Sequence, residues 1–322
     1  MSMIPLVPQQ LARDVEDDAF PNAVEYLKQR ISACGVKCTL SNAYHSNYLT
    51  QRRNGIDNVK ELCRIFKVTK GVMHKTVLYM DSVFFNAKCK FNVDIVYQVS
   101  TVLVVFAVQF NECCFDREMS DMFYLLKMIP QYNELEIELL KLLEYDLNRT
   151  TAYEFVKLLF KNGIAFINEH EHATKDEISF TQHNVDYAYD VCLTLIDYFI
   201  SDDIFVDFNA FEFAVITVDV VMRSVQRMGR AVGYSGKAYY NKKLLLQTYG
   251  VDLNRSEYVK CRCVLSHVFD YMWKHTSTLH IGKYLMCVDE KEQYSDTKKN
   301  NVYQSDEHDM LSGSTIDTYC PS

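Results

Sequence analysis

The stretch Val96–Glu112 constrains this chain more than any other. Between Val102 and Val108 it is apolar without a break, so other parts of the protein must cover it on every side. Its valines alone favour a strand, and so short a run has no periodicity to separate buried helix from buried strand. The neighbours decide for helix. Segments of about a dozen to twenty residues with apolar positions three and four apart lie on both sides, and no hairpin turn signal flanks the run. A second stretch of the same character spans Ala210–Met222. Each is expected to be the buried central helix of its own bundle.

With 10 glycines and 5 prolines in 322 residues, breakers are scarce, which argues for an all-α protein with short connections. A hydrophobic content of 48% is enough for two cores at this length. After a flexible polar start (1–18), a first helix is expected at 23–34, stopped by Gly35. A polar arm at 39–51 follows. Five helices are then expected at 52–67, 71–86, 92–112, 116–128 and 132–147, and five more at 152–163, 184–200, 209–228, 235–249 and 255–275. Residues 164–183 read as a polar loop. In each run of five the third member is the most apolar, which implies a duplicated five-helix unit. The expected organisation is an N-terminal arm and helix (1–40), a first bundle (41–148), a second bundle (149–275) and a disordered acidic and polar tail (276–322) too poor in apolar residues to fold.

The charge balance, 34 basic against 42 acidic residues for a net −8, disfavours a nucleic-acid surface and leaves proteins as the expected partners. The first residues lack the charge and length of a secretory signal. No apolar stretch is read as reaching the roughly 18 to 20 residues of a membrane helix, so an intracellular protein without a membrane segment is expected. Eleven cysteines lack the paired spacing of zinc knuckles and read as reduced, mostly buried thiols. The one cluster resembling metal ligands, Glu169, His170, Glu171 and His172, reads as a solvated loop run. No phosphate-binding glycine loop, nucleophile elbow or H-E-x-x-H occurs. No enzyme activity, cofactor, metal or small-molecule substrate is expected.

Over about residues 20–275 the chain resembles the cyclin family. Where family members open the first box with Met-Arg-x-Ile-Leu-Val-Asp-Trp, this chain has Gln51 to Asn58, with Arg52 in the Arg place. The Tyr-Ile-Asp-Arg-Phe-Leu pattern ending the second helix is matched by Tyr79 to Phe84, and Ala-Ser-Lys-Phe-Glu-Glu ending the third by Ala107 to Glu112. The Met-Glu and later Phe-Asp-Leu of the fifth are matched by Leu135-Glu136 and Tyr145-Asp146-Leu147. Leu245–Val251 followed by Tyr258–Cys261 is similar to the turn and Leu-x-x-Cys that open the last helix. The boxes are similar to those of A/B-type and J-type cyclins.

The resemblance implies two tandem cyclin-fold bundles and a regulatory subunit that binds and activates a Ser/Thr cyclin-dependent kinase, located in the nucleus, the cytoplasm or both. It implies a buried ion pair between Arg52 and Asp81. It also implies a kinase-binding face at Gln109, Phe110, Glu112, Phe123 and Glu136, on which the family's Lys and Glu grip the kinase's mobile helix. Gln109 stands where the family has Lys, so charge assistance is lost there. That departure keeps open a second reading, a cyclin-fold adaptor or scaffold that no longer activates a kinase. The family's substrate-docking positions hold Gln51, Asn54, Gly55 and Asn58, so no hydrophobic docking groove of that type is expected.

Overall fold

A computed structural model describes residues 3–5, 23–33, 42–87, 91–111, 117–168, 175–231, 238–240 and 242–275. The architecture is all-α. Helix α1 spans Ala23–Ala33, and a first run follows: α2 Asn42–Ile65, α3 Lys70–Ala87, α4 Val93–Asn111, α5 Arg117–Lys127 and α6 Tyr132–Leu142. The second run is α7 Ala152–Lys161, α8 Lys175–Phe199, α9 Ala210–Ala231, α10 Lys242–Tyr249 and α11 Ser256–His275, with a 3-10 turn at Asp203–Asp207. The chain through Asp270 is one compact unit. Of the remainder, only the last residues of α11 are described.

The two apolar stretches do become the central helices. In α4, every residue from Val102 to Val108 is buried, and the helix packs against α2, α3, α5 and α6. Its β-branched side chains lose little by being helical once packing covers every face, because burial is worth about 1.5–3 kcal/mol for each such side chain. In α9, every residue from Phe213 to Met222 is buried, and this helix packs against α7 and α8. Local signals set the ends. Thr151 and Glu154 form a capping box at α7, and Asn209 and Glu212 exchange the same pair of bonds at α9. Gly250, at a φ of +69°, closes α10 in the left-handed conformation, with Gly250 N–H to Leu246 O and Val251 N–H to Leu245 O both at 3.1 Å.

Several expectations are corrected. Residues 42–51, read as a polar arm, are the first turns of α2. Their polar composition hid a helix whose inward face begins with Tyr48, Gln51 and Arg52. The loop expected at 164–183 contains a strand and the start of α8, and the helix expected at 235–249 is a strand followed by α10. Strands β1 Met3–Pro5, β2 Ala165–Asn168 and β3 Ala238–Tyr240 form a small antiparallel sheet with β2 in the middle, pairing Met3 with Asn168 and Ala165 with Tyr240. β1 therefore replaces part of the flexible start. Segments of three or four residues are too short for alternation to reveal them. The membrane reading changes too: Val93–Phe110 is long and apolar enough to cross a bilayer, but more than half of it is buried inside the protein. The expected tail at 276–322 and the cluster Glu169–His172 lie outside the described residues.

Candidate partner-binding face

Helices α2 and α3 are joined by a buried ion pair. Arg52, 1% exposed on α2, donates from Nε to Asp81 Oδ1 of α3 at 2.8 Å and from Nη2 to Oδ2 at 3.3 Å. The Tyr48 hydroxyl donates to the same Oδ1 at 2.9 Å. Burial by itself pulls the guanidinium's pKa down, but the Asp81 carboxylate outweighs it and holds Arg52 above its usual value. The same guanidinium lies 5.6 Å from the ring of Phe205, in the 3-10 turn of the second run.

The neighbouring positions on α2 face inward. Gln51 is buried and donates to Phe91 O at 3.1 Å. Asn58 donates to Ser100 Oγ at 2.7 Å. A Cβ on Gly55 would lie 2.3 Å from Met80 Sδ, so the glycine is required for α2 and α3 to approach this closely. These polar and small residues join α2 to α3 and α4.

Four of the five residues of the expected kinase face lie on α4, α5 and α6, and both α5 and α6 pack on α4. Gln109 and Phe110 are exposed in the last turn of α4, Phe110 by 50%. Phe123 of α5 is half-buried against the core. Glu136 of α6 is half-buried and accepts a hydrogen bond from the Tyr132 hydroxyl at 3.0 Å. Burial, reinforced by Glu136, pushes that phenol up to about 12. Glu112 lies outside the described residues.

More apolar surface accompanies them: Tyr124, Leu125 and Met128 near the end of α5, and Ile137 on α6, are all exposed. Phe106 is core. The end of α4 together with α5 and α6 thus carries exposed aromatic and apolar side chains, the types suited to gripping another protein, with Gln109 and Glu136 on the same helices. Among the described residues no group of three metal-ligating side chains occurs. Cys63, Cys192 and Cys261 are buried thiols and Cys263 is an exposed one.

Ionic groups that sequence reasoning missed join helices between the two runs and within the second. Asp197 of α8 receives the His74 ring at 2.7 Å and also pairs with Lys70. The Lys75 ammonium, 4% exposed, meets Glu154 at 3.1 Å and donates to the carbonyl of Arg149. In α9 the fully buried Asp219 pairs with Arg223 at 2.8 Å and with Arg262 of α11 at 3.1 Å. This last group had a readable signal. A single Asp inside the apolar run Phe213–Met222 demands a cation, and Arg223 stands one turn along.

No known family model matches the chain, and no curated protein does. Among solved structures it is similar to a chain of the CAK complex from Chaetomium thermophilum bound to ATP-γ-S, at 12% identity, covering 94% of each chain with a TM-score of 0.42. An overlap this loose assigns neither family nor partner.

Proposed function

We propose that this protein is a cyclin-type regulatory subunit that binds and allosterically activates a Ser/Thr cyclin-dependent kinase. The observation that carries this reading is the face itself: Gln109 and Phe110 exposed at the end of a buried central helix, with Glu136 and the apolar residues of α5 and α6 on the helices packed against it. The buried Arg52–Asp81–Tyr48 group supports it by fixing α2 against α3, the two helices that pack on α4. In this reading the face pushes the kinase's mobile helix inward, so that its Glu reaches the ATP-binding Lys and the activation loop orders. The catalysis belongs to the partner.

Glu136→Arg tests the assigned face. It reverses the charge of a half-buried acceptor in the proposed contact, and is expected to weaken kinase capture by about 2–5 kcal/mol. Unchanged capture and activation would remove this face from the account.

The second reading, an adaptor of the same architecture that does not activate a kinase, is favoured by one observation: Gln109 is a neutral, exposed amide where the resemblance calls for a cation. Gln109→Lys separates the two. Stronger kinase binding and activation support a working but weakened interface, and no effect supports the adaptor.

A further inference from the structure

A second site lies away from this face, between α9 and α11. A cleft of about 430 Å³ opens there, walled by Arg223, Ser224, Arg262, Ser266, His267 and Asp270. Behind it sits Asp219, fully buried, and the two guanidiniums are held in place by it: Arg223 by its Nε at 2.8 Å and Arg262 by Nη1 at 3.1 Å. Arg262 spends Nη2 on the carbonyl of Leu253 at 3.2 Å. Among the described residues, the Nη groups of Arg223 and the hydroxyl of Ser266 make no hydrogen bond.

On the cleft wall Arg223 and Arg262 share one buried carboxylate, Asp219, on a protein whose net charge is −8. Positive charge that is fixed by an internal ion pair, left with open donors and facing a cleft is a preorganised anion receptor.

We propose that this cleft binds a phosphate monoester carried on a peptide, that is, a phosphorylated serine or threonine of a partner protein. A phosphate monoester offers three terminal oxygens to the open donors of Arg223 and Ser266, where a carboxylate offers two. The open fork of Arg223 fits two phosphate oxygens, and Ser266 offers a further donor. Asp270 argues for a peptide over a polyphosphate: a carboxylate on the wall repels a second phosphate but accepts an amide N–H of a flanking backbone. The proposal is independent of kinase binding by α4, α5 and α6.

The test uses the full chain and fluorescence anisotropy. A short labelled glycine–serine peptide with one central phosphoserine is compared with its unphosphorylated twin, and inorganic phosphate serves as competitor. The phosphorylated peptide is expected to bind about tenfold or more tighter than its twin, and to weaken as salt rises. Arg223 and Arg262 also neutralise Asp219, so their removal risks the fold. Ser266→Asp avoids that, because Ser266 lines the cleft and makes no bond to Asp219. This variant is expected to melt as the parent does and to lose about tenfold in phosphopeptide affinity. Equal affinity for the two peptides would overturn the proposal, as would a Ser266→Asp variant that binds like the parent. Saturable inorganic phosphate binding without any preference for the phosphopeptide would also overturn it, assigning the cleft to free phosphate instead.

Discussion

Arg52 and Asp81 meet across α2 and α3 at 2.8 Å, the guanidinium almost wholly out of water and the carboxylate also receiving the Tyr48 hydroxyl at 2.9 Å. The pair is worth more as a constraint than as a source of net stability, because both charges had to be desolvated to form it. Asp81→Ala strands the buried guanidinium and is expected to cost about 3–5 kcal/mol. Arg52→Met leaves a carboxylate that is 17% exposed and still bonded by Tyr48, and is expected to cost less. Urea unfolding of the two variants checks the order. An Arg52→Met variant less stable than Asp81→Ala would mean that the guanidinium is not the costlier group to strand.

Asp197 gives a prediction in pH. Burial raises its pKa, but the hydrogen bonds from His74 and Lys70 outweigh burial, and its carboxyl sits below the usual value. A carboxylate depressed in the folded state contributes stability that is fully present above the unfolded value of about 3.9 and is lost as pH falls through the folded value. The stability difference between the parent and Asp197→Asn is therefore expected to be largest near neutrality and to shrink below about pH 4. Denaturant curves at several pH values measure it. A difference that stays constant down to pH 3 would show that the ionised form is not what His74 and Lys70 hold.

Gly55 tests the packing of α2 on α3. On an exposed helix, Gly→Ala gains about 1 kcal/mol of propensity. Here the added methyl meets Met80, which is itself fully buried, at 2.3 Å. Overpacking costs about 1–3 kcal/mol, so the net effect of Gly55→Ala is expected to be destabilising, with a lower melting temperature. A stabilised Gly55→Ala would mean that the helices separate easily at this point.

Thr151 caps α7 through its hydroxyl, which accepts from Glu154 N–H at 3.1 Å, while Glu154 also reaches Lys75 of α3. Thr151→Ala is expected to cost about 0.5–2 kcal/mol. Glu154→Gln is expected to cost more, because it disturbs both the cap and the buried Lys75 ammonium. Thermal melts of the two variants establish the order.

Most of the helical architecture was legible in the sequence, and the reasons are specific. The unbroken apolar run Val102–Val108 had to be buried, and its neighbours carry helical spacing over lengths that are hard to mistake. The start of α2 was not legible, because Asn42–Thr50 is polar and its inward residues, Tyr48 and then Gln51 and Arg52, are themselves polar. Strands β1, β2 and β3 depend on pairing between residues far apart in the chain, and each is too short to signal itself. The ionic links of Asp197, Lys75 and Asp219 depend on which helix lies opposite. Of these, Asp219 alone was visible in outline, as a charge inside an apolar run. The candidate face was readable only through resemblance, since nothing in the spacing of Gln109 and Glu136 says that their helices pack together.

The central claim, that the chain binds and activates a kinase through α4, α5 and α6, is tested most directly by capture. The tagged full-length protein and its Glu136→Arg variant are each used to retrieve partners from extracts of the source cells, and the retrieved material is assayed for phosphorylation of a generic Ser/Thr substrate. The account predicts that the parent retrieves a kinase whose activity depends on it, and that Glu136→Arg retrieves much less. Retrieval of other proteins without a kinase, or of a kinase that stays inactive, would contradict activation and leave the adaptor reading in its place.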